Sequence, residues 1–250
     1  MRTVSVTDGV TDEGQESFRI QTERAVYLYQ KTGCAFSSLI DRDGNDWIGY
    51  KPKGGPKGHY RGIPNMGYET FGHPGYETGR SELVTDSPDL VEVRSSTADG
   101  AWEVEWKIRS THATMTAHKI AAPVWLLYEG TPGGKFNPKT QFMFFSDGTR
   151  MACSETRRAE SPDPKWVAFC DPKTKRSLVL AYDGPDSFVD TYWPMDGKGG
   201  MTVFGFGRTD TDGFGFYIKT VPFSFSFALV ESVSFEEIAA YVGNYLPVRG

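Results

Sequence analysis

The side chains able to move protons in this chain are unevenly placed. Of its four histidines, His59 and His73 fall in the segment 51–81 together with Tyr60, Arg61, Tyr76, Glu77 and Arg80. Imidazole titrates nearest neutrality of all side chains, and a guanidinium beside it can hold a carboxylate or phosphate through paired hydrogen bonds. His73, with Arg61 and Arg80 in the same segment, is therefore the leading catalytic candidate. Tyr76 can serve as a phenolic acid or base if an arginine lowers its pKa. His112 and His118 are separated by an even number of residues, with Thr114 and Thr116 between them, so on a regular strand all four share a face. A polar face of that kind is costly in a core and sensible in a ligand cleft; the alternative is an exposed outer face. Glu129 ends an apolar stretch just before Gly130-Thr131-Pro132-Gly133-Gly134, where a carboxylate can reach a cleft. Each candidate has a structural counterpart: an imidazole bonded to loop carbonyls, a packed phenol ring, a salt-bridged rim carboxylate.

The elements that must position these groups read as strands. Apolar and polar residues alternate over 17–21, 25–29, 35–40, 90–94 and 102–109, and the pattern continues at 112–118, 124–128, 141–145 and 166–169. Further segments follow at 177–182, 201–206, 214–219 and 223–230, and Asp43-Gly44-Asn45-Asp46 is a hairpin turn before another at 47–50. Short strands separated by Gly, Pro and Asp turns predict an antiparallel sandwich or barrel rather than βαβ units. One helix is expected, at 234–246, where Ser234-Phe235-Glu236-Glu237 forms a capping box and Phe235, Ile238, Ala239, Val242 and Tyr245 recur at helical spacing. Tyr192-Trp193-Pro194-Met195 reads as an aromatic loop tip. The segment 51–81 breaks the alternation: residues 51–80 hold eight of the 28 glycines and four of the 15 prolines. A loop that long inside a domain is usually functional. No linker or repeat divides the chain, so 1–250 reads as one domain.

Composition excludes several classes. Lys and Arg number 27 against 32 Asp and Glu, which gives no basic field for nucleic acid. No apolar run is long enough to span a bilayer, and Met1-Arg2-Thr3-Val4 opens without the apolar stretch of a secretory signal. That pattern suits a cytoplasmic protein, or equally a secreted one whose leader has been removed. Cys34, Cys153 and Cys170 have no zinc-like spacing and read as reduced, buried thiols, one disulfide plus a free thiol being the alternative. Asp41-x-Asp43-x-Asn45 resembles the start of a calcium loop, but Pro52 stands where the bidentate Glu belongs, so it is assigned to the turn. No metal or cofactor is expected.

Several segments, in order, resemble one family. Gly33-Cys34-Ala35-Phe36-Ser37-Ser38-Leu39-Ile40, running into Asp41-Arg42-Asp43-Gly44, is similar to the opening hairpin of galactose mutarotase-like proteins. Tyr60-Arg61-Gly62-Ile63-Pro64 resembles the Arg-Gly-Gly-Ile-Pro stretch of the hexose-6-phosphate epimerase branch. His73-Pro74-Gly75-Tyr76, with Arg80, sits where that branch has His-Gly-Phe-Ala-Arg. Pro123 to Glu129 takes the place of the Asn-His-Tyr-Phe strand end. The resemblance implies a large all-β antiparallel supersandwich with a sugar site on a concave face. Two departures bear on mechanism: Tyr128-Glu129 replaces the second histidine, and the late catalytic glutamate has no counterpart in 201–208 or 214–230. The same architecture serves polysaccharide lyases. The resulting expectation is a carbohydrate-active enzyme, foremost a lyase acting beside a uronate. Arg61 and Arg80 would neutralise the carboxylate, His73 or Tyr76 would take the proton, and Glu129 would position the substrate. His112 is a further catalytic candidate; His118, Tyr60 and Trp193 would contact the sugar or oligosaccharide, Trp193 by stacking on its C–H face. An aldose 1-epimerase and a non-catalytic sugar-binding sandwich are the alternatives.

Overall fold

Branched and aromatic side chains at every second position fit a pleated surface that is covered on one side, and the chain is extended almost from its first residues. The computed structural model describes residues 2–49, 62–68, 73–74, 76, 78–185, 188–195, 197, 200–209 and 215–248. Its strands are β1 (Val4–Asp12), β2 (Gln15–Thr22), β3 (Ala25–Gln30), β4 (Ala35–Asp41), β5 (Arg80–Asp86), β6 (Val91–Ser96), β7 (Glu103–Ile108), β8 (Ala113–Lys119) and β9 (Leu126–Gly130). They continue with β10 (Phe142–Phe145), β11 (Arg150–Ala152), β12 (Arg157–Glu160), β13 (Trp166–Asp171), β14 (Arg176–Asp183) and β15 (Val189–Met195). The last are β16 (Met201–Phe206), β17 (Arg208–Thr209), β18 (Gly215–Phe216) and β19 (Phe223–Val230), before the helix α1 (Phe235–Tyr245). A nine-stranded antiparallel sheet runs β11-β10-β13-β14-β19-β8-β7-β6-β5. Opposite it lie two four-stranded sheets, β1-β2-β3-β4 and β12-β15-β16-β9.

Residues 63–65 stitch the two smaller sheets together. Phe36 and Ile63 exchange both backbone hydrogen bonds at 3.0 Å, and Asn65 and Leu127 do the same at 2.9 Å. This short run thus joins the edge of β4 to the edge of β9, and satisfies backbone groups that would otherwise be left at two buried sheet edges. It belongs to the segment expected to be a loop. Arg80 and Ser81, placed in that loop as well, open β5 instead.

Between the layers the side chains are mostly aromatic. Phe36 lies 4.8 Å from Trp106 and 5.2 Å from Phe227, and Tyr128 lies 5.0 Å from Phe169, ring centre to ring centre. The edge-to-face geometry of these pairs sets the positive rim of one ring against the negative face of another. The outer face of the nine-stranded sheet is covered at one end by α1, whose Ile238, Tyr241 and Val242 pack with Trp166, Val179 and Ala228. Ser234 caps the helix as expected, accepting from the Glu237 N–H.

The alternation locates the strands with one wet face and also the buried β13, β14 and β16, but not every strand. β1 was not expected, because its Thr, Asp and Gly residues break the pattern and only Val4 of it is buried. Tyr192 to Met195, expected as a loop tip, belongs to β15 and pairs fully with β16. Residues 47–49 make only isolated bridges, and of the described residues 215–219 only Gly215–Phe216 form a strand. Cys34, Cys153 and Cys170 are free thiols, the last two buried. Among the described residues no helix is long and apolar enough to cross a membrane.

Candidate functional site

Opposed residues in an antiparallel sheet point to the same side, so the register of β15, β16 and β9 assigns faces directly. Tyr192, Phe204 and Tyr128 are in register and point into the core. Trp193, Val203 and Glu129 form the adjacent row and point away from it, as do Thr191, Gly205, Leu127 and Asn65 in the next. Every residue of β9 and of β16 is buried, so the outward face of this pair is covered too. On that face Trp125, Leu127, Met201 and Val203 form a further apolar cluster with Phe216 against it.

Into this apolar setting the sheet places a carboxylate. Glu129 is 3% exposed, and Asn65 Nδ2 donates toward its Oε2 at 3.4 Å. Asn65, itself wholly buried, is held by the stitch to Leu127. Trp125 stacks on Phe216 at 4.2 Å, and the Arg208 guanidinium lies 5.3 Å over the indole. Two glycines make this arrangement possible: a Cβ on Gly67 would stand 2.0 Å from the Trp125 indole nitrogen, and one on Gly205 2.4 Å from Leu127. Asn65, Trp125 and Arg208 were not singled out from the sequence. Asn65 directly follows the Ile63-Pro64 pair of the quoted motif, which is the one signal that pointed to it.

His73 is 6% exposed and both its ring nitrogens face backbone. Nδ1 accepts from the Met66 N–H at 3.1 Å, which leaves the proton on Nε2, and Nε2 donates to the Gly33 carbonyl at 2.8 Å. The ring thus clamps the residue next to Asn65 onto the turn before β4. His73→Ala is expected to leave a buried N–H and a buried C=O unpaired, costing about 1–3 kcal/mol for each such group, read as a lowered urea midpoint. A loss of activity at unchanged stability would point to a direct chemical role instead.

The remaining candidates are dispersed. Tyr76 is half-buried and its N–H donates to the His73 carbonyl at 3.2 Å. Arg80 is exposed on β5, the edge of the nine-stranded sheet. Trp193 is 51% exposed, in the same row as Glu129. Tyr60 and Arg61 lie outside the described residues. Thr114, Thr116 and His118 do share a face, but it is the outer face of the nine-stranded sheet, the surface away from Glu129, and His112 stands just before this strand. His118 is exposed there, and Thr114 shares a hydrogen bond with Ser226 at 2.8 Å.

Burial, with Arg109 adding to it, pushes the His112 imidazole down to about 4. The unfolded ring titrates near ~6.5, so between those values the unfolded chain binds more protons. Stability is unpenalised above the unfolded pKa and falls as pH drops through the folded one. For a ring that is only half-buried the penalty is on the order of 1–2 kcal/mol. The urea midpoint of wild type relative to His112→Asn should therefore drop from pH 7 to pH 4; a constant difference would show that this ring does not titrate in that window.

The calcium-like turn holds an arginine. Arg176 Nη1 lies 3.0 Å from Asp41 Oδ2 and 2.6 Å from Asp43 Oδ2, while its Nε donates to Glu231 at 2.8 Å. The Asp41 and Asp43 carboxylates are thus paired with this guanidinium.

No family model matches the sequence, and no curated protein matches it. Solved structures do match in shape. The YeaD protein of Salmonella typhimurium, provisionally named a mutarotase, superposes with a TM-score of 0.58 over 90% of this chain and 94% of that one, at 9% identity. An Escherichia coli K12 protein provisionally named an aldose 1-epimerase gives 0.51 over 91% and 99%, at 7% identity. A galactose mutarotase-like protein from Lactobacillus casei gives 0.50 over 84% and 98%, at 11% identity. At such identities the likeness is one of architecture: the chain has the galactose mutarotase-like β-sandwich fold.

Proposed function

We propose that this protein binds a sugar beside Asn65 and Glu129 and interconverts its anomers, with Glu129 carrying a proton. The observation behind this is the buried Glu129 carboxylate, beside Asn65 and in register with Val203, in a mutarotase-like fold. Interconversion needs a proton removed from the anomeric hydroxyl and one delivered to the ring oxygen; the ring opens, its carbonyl carbon turns over and the ring recloses. A carboxylate can carry one of those transfers, and Asn65 donates toward it.

Uronate elimination draws less support. Its base would be His73 or Tyr76, yet His73 bonds backbone through both nitrogens, and Arg80 stands exposed on the opposite layer. The engagement of His73 also favours a second reading, a sugar-binding sandwich without catalysis. Exchange NMR on a panel of aldoses and aldose phosphates separates these readings. Faster α/β exchange than in buffer supports the first, and binding without exchange supports the second. Neither binding nor exchange overturns both, and unsaturated products from uronic-acid polysaccharides would restore the lyase.

A further inference from the structure

Most sheet edges among the described strands are blunted. The nine-stranded sheet ends at β5, whose register slips between Leu83 and Thr85, and at β11, which is three residues long. The register of β1 slips between Thr7 and Val10, and the edges at β4 and β9 are stitched together by residues 63–65. Bulges, very short strands and covering segments all keep an edge from pairing with another chain. β12 differs: it ends the sheet β12-β15-β16-β9 in continuous register, Arg157 to Glu160 against Tyr192 to Val189. Tyr192 points into the core, so Arg157 and Ala159 take the inner face, and Arg158 and Glu160 take the outer one, where both are exposed. Arg157 is engaged by its own chain, its guanidinium lying 4.4 Å over Phe145 and its Nη2 donating to the Glu160 carbonyl at 2.9 Å.

The outer face of this edge thus carries opposite charges two residues apart, with a small residue between them. A strand so patterned is complementary to itself. Turned over by a two-fold axis through Ala159, it sets Arg158 opposite Glu160 of a second copy and Glu160 opposite that copy's Arg158. An axis through Arg158 or Glu160 would instead set like charges against each other, so the charges also select the register. The Glu160 side chain is 51% exposed, and its Oε1 lies 3.6 Å from Lys165 Nζ, which leaves the carboxylate able to accept from a further donor. We propose that β12 is the contact by which two copies of this chain associate, antiparallel across Ala159, joining their four-stranded sheets into one. The exposed Trp193 and Met195 of the adjoining β15 border this contact. The association is separate from the sugar reading and needs no ligand.

Sedimentation velocity of the full chain across about 5–500 µM tests this, with urea curves to confirm that each variant is folded. Wild type should pass from one-chain to two-chain mass over that range, and less completely in high salt, because exposed ion pairs are screened. Arg158→Glu sets like charges opposite each other at two symmetric places and should raise the dimer Kd about tenfold. Glu160→Arg should do the same. The double variant R158E/E160R restores both pairs and should return the Kd to within about threefold of wild type. A wild-type chain that keeps one-chain mass at the highest concentration overturns the proposal. So does a dimer whose Kd ignores both single reversals, or one that the double variant fails to recover. If Glu160→Arg unfolds through loss of its contact with Lys165, Arg158→Glu decides alone, and an unchanged Kd in that variant overturns the proposal.

Discussion

Glu129→Gln is expected to slow anomer interconversion by about 10²–10⁴-fold while the protein stays folded and still binds sugar. Glutamine keeps the size and shape of the side chain, and its amide oxygen can still accept from Asn65. What it lacks is a carboxylate that can take up and release a proton. The strand does not depend on the carboxylate for its position. The Glu129 carbonyl accepts from the Gly49 N–H at 3.0 Å, and the Tyr128 hydroxyl donates to the Trp47 carbonyl at 2.6 Å. Exchange NMR gives the rate, titration gives the Kd, and a urea curve confirms the fold. A variant that exchanges anomers at the wild-type rate would remove Glu129 from the reaction.

Arg176→Met should cost about 3–5 kcal/mol of stability, because it leaves a buried charge uncompensated. The Asp41 side chain is fully buried and that of Arg176 is 3% exposed. Without the guanidinium, Asp41 keeps only its neutral partners, the Asn45 amide, the Trp47 indole N–H and the backbone N–H groups of Asp43 and Asn45. Burial by itself would raise the Asp41 pKa, yet these hydrogen bonds outweigh it and the carboxyl sits below its ordinary value. A carboxyl of lowered pKa contributes stability above the unfolded pKa and loses it as pH falls through the folded one. Denaturant unfolding should therefore show a lowered midpoint at unchanged slope at pH 7, with the gap between variant and wild type narrowing in acid. Arg176→Lys should recover part of the loss, since an ammonium replaces the charge but not the fork that reaches Asp41, Asp43 and Glu231 together. A midpoint unchanged in Arg176→Met would show that the cluster is not what joins the β4 turn to β14.

The strands most readily seen in the sequence are those with one wet face. In β7 and β8, Val104, Trp106, Met115 and Ala117 are buried between exposed or half-exposed neighbours, so the period of two is written plainly. The C-terminal helix was equally clear, because its cap and its apolar stripe are local features. β15 was hidden by the Trp193-Pro194 pair, which has the chemistry of a turn but sits in register with Val203 and Thr202. Among the candidate residues, Glu129 and Trp193 meet in one row of one sheet, whereas His112 and His118 are carried to the other layer by a topology that no local pattern encodes.

By itself, then, the sequence determined a large antiparallel β-protein with a capped C-terminal helix, because pleat period and helix capping depend on neighbours a few residues apart. Tertiary structure alone decided what the unusual segment does. Where it is described, the Gly- and Pro-rich run enters the sheet at Ile63 and Asn65, pairing with Phe36 and Leu127 far away in the chain. It likewise decided that His73 clamps backbone, that Arg176 fills the Asp41 turn, and that Glu129 is the carboxylate enclosed on an apolar face. Each of these depends on which strand edges meet, and strand-edge partners are chosen by burial across the whole sandwich rather than by any local run of residues.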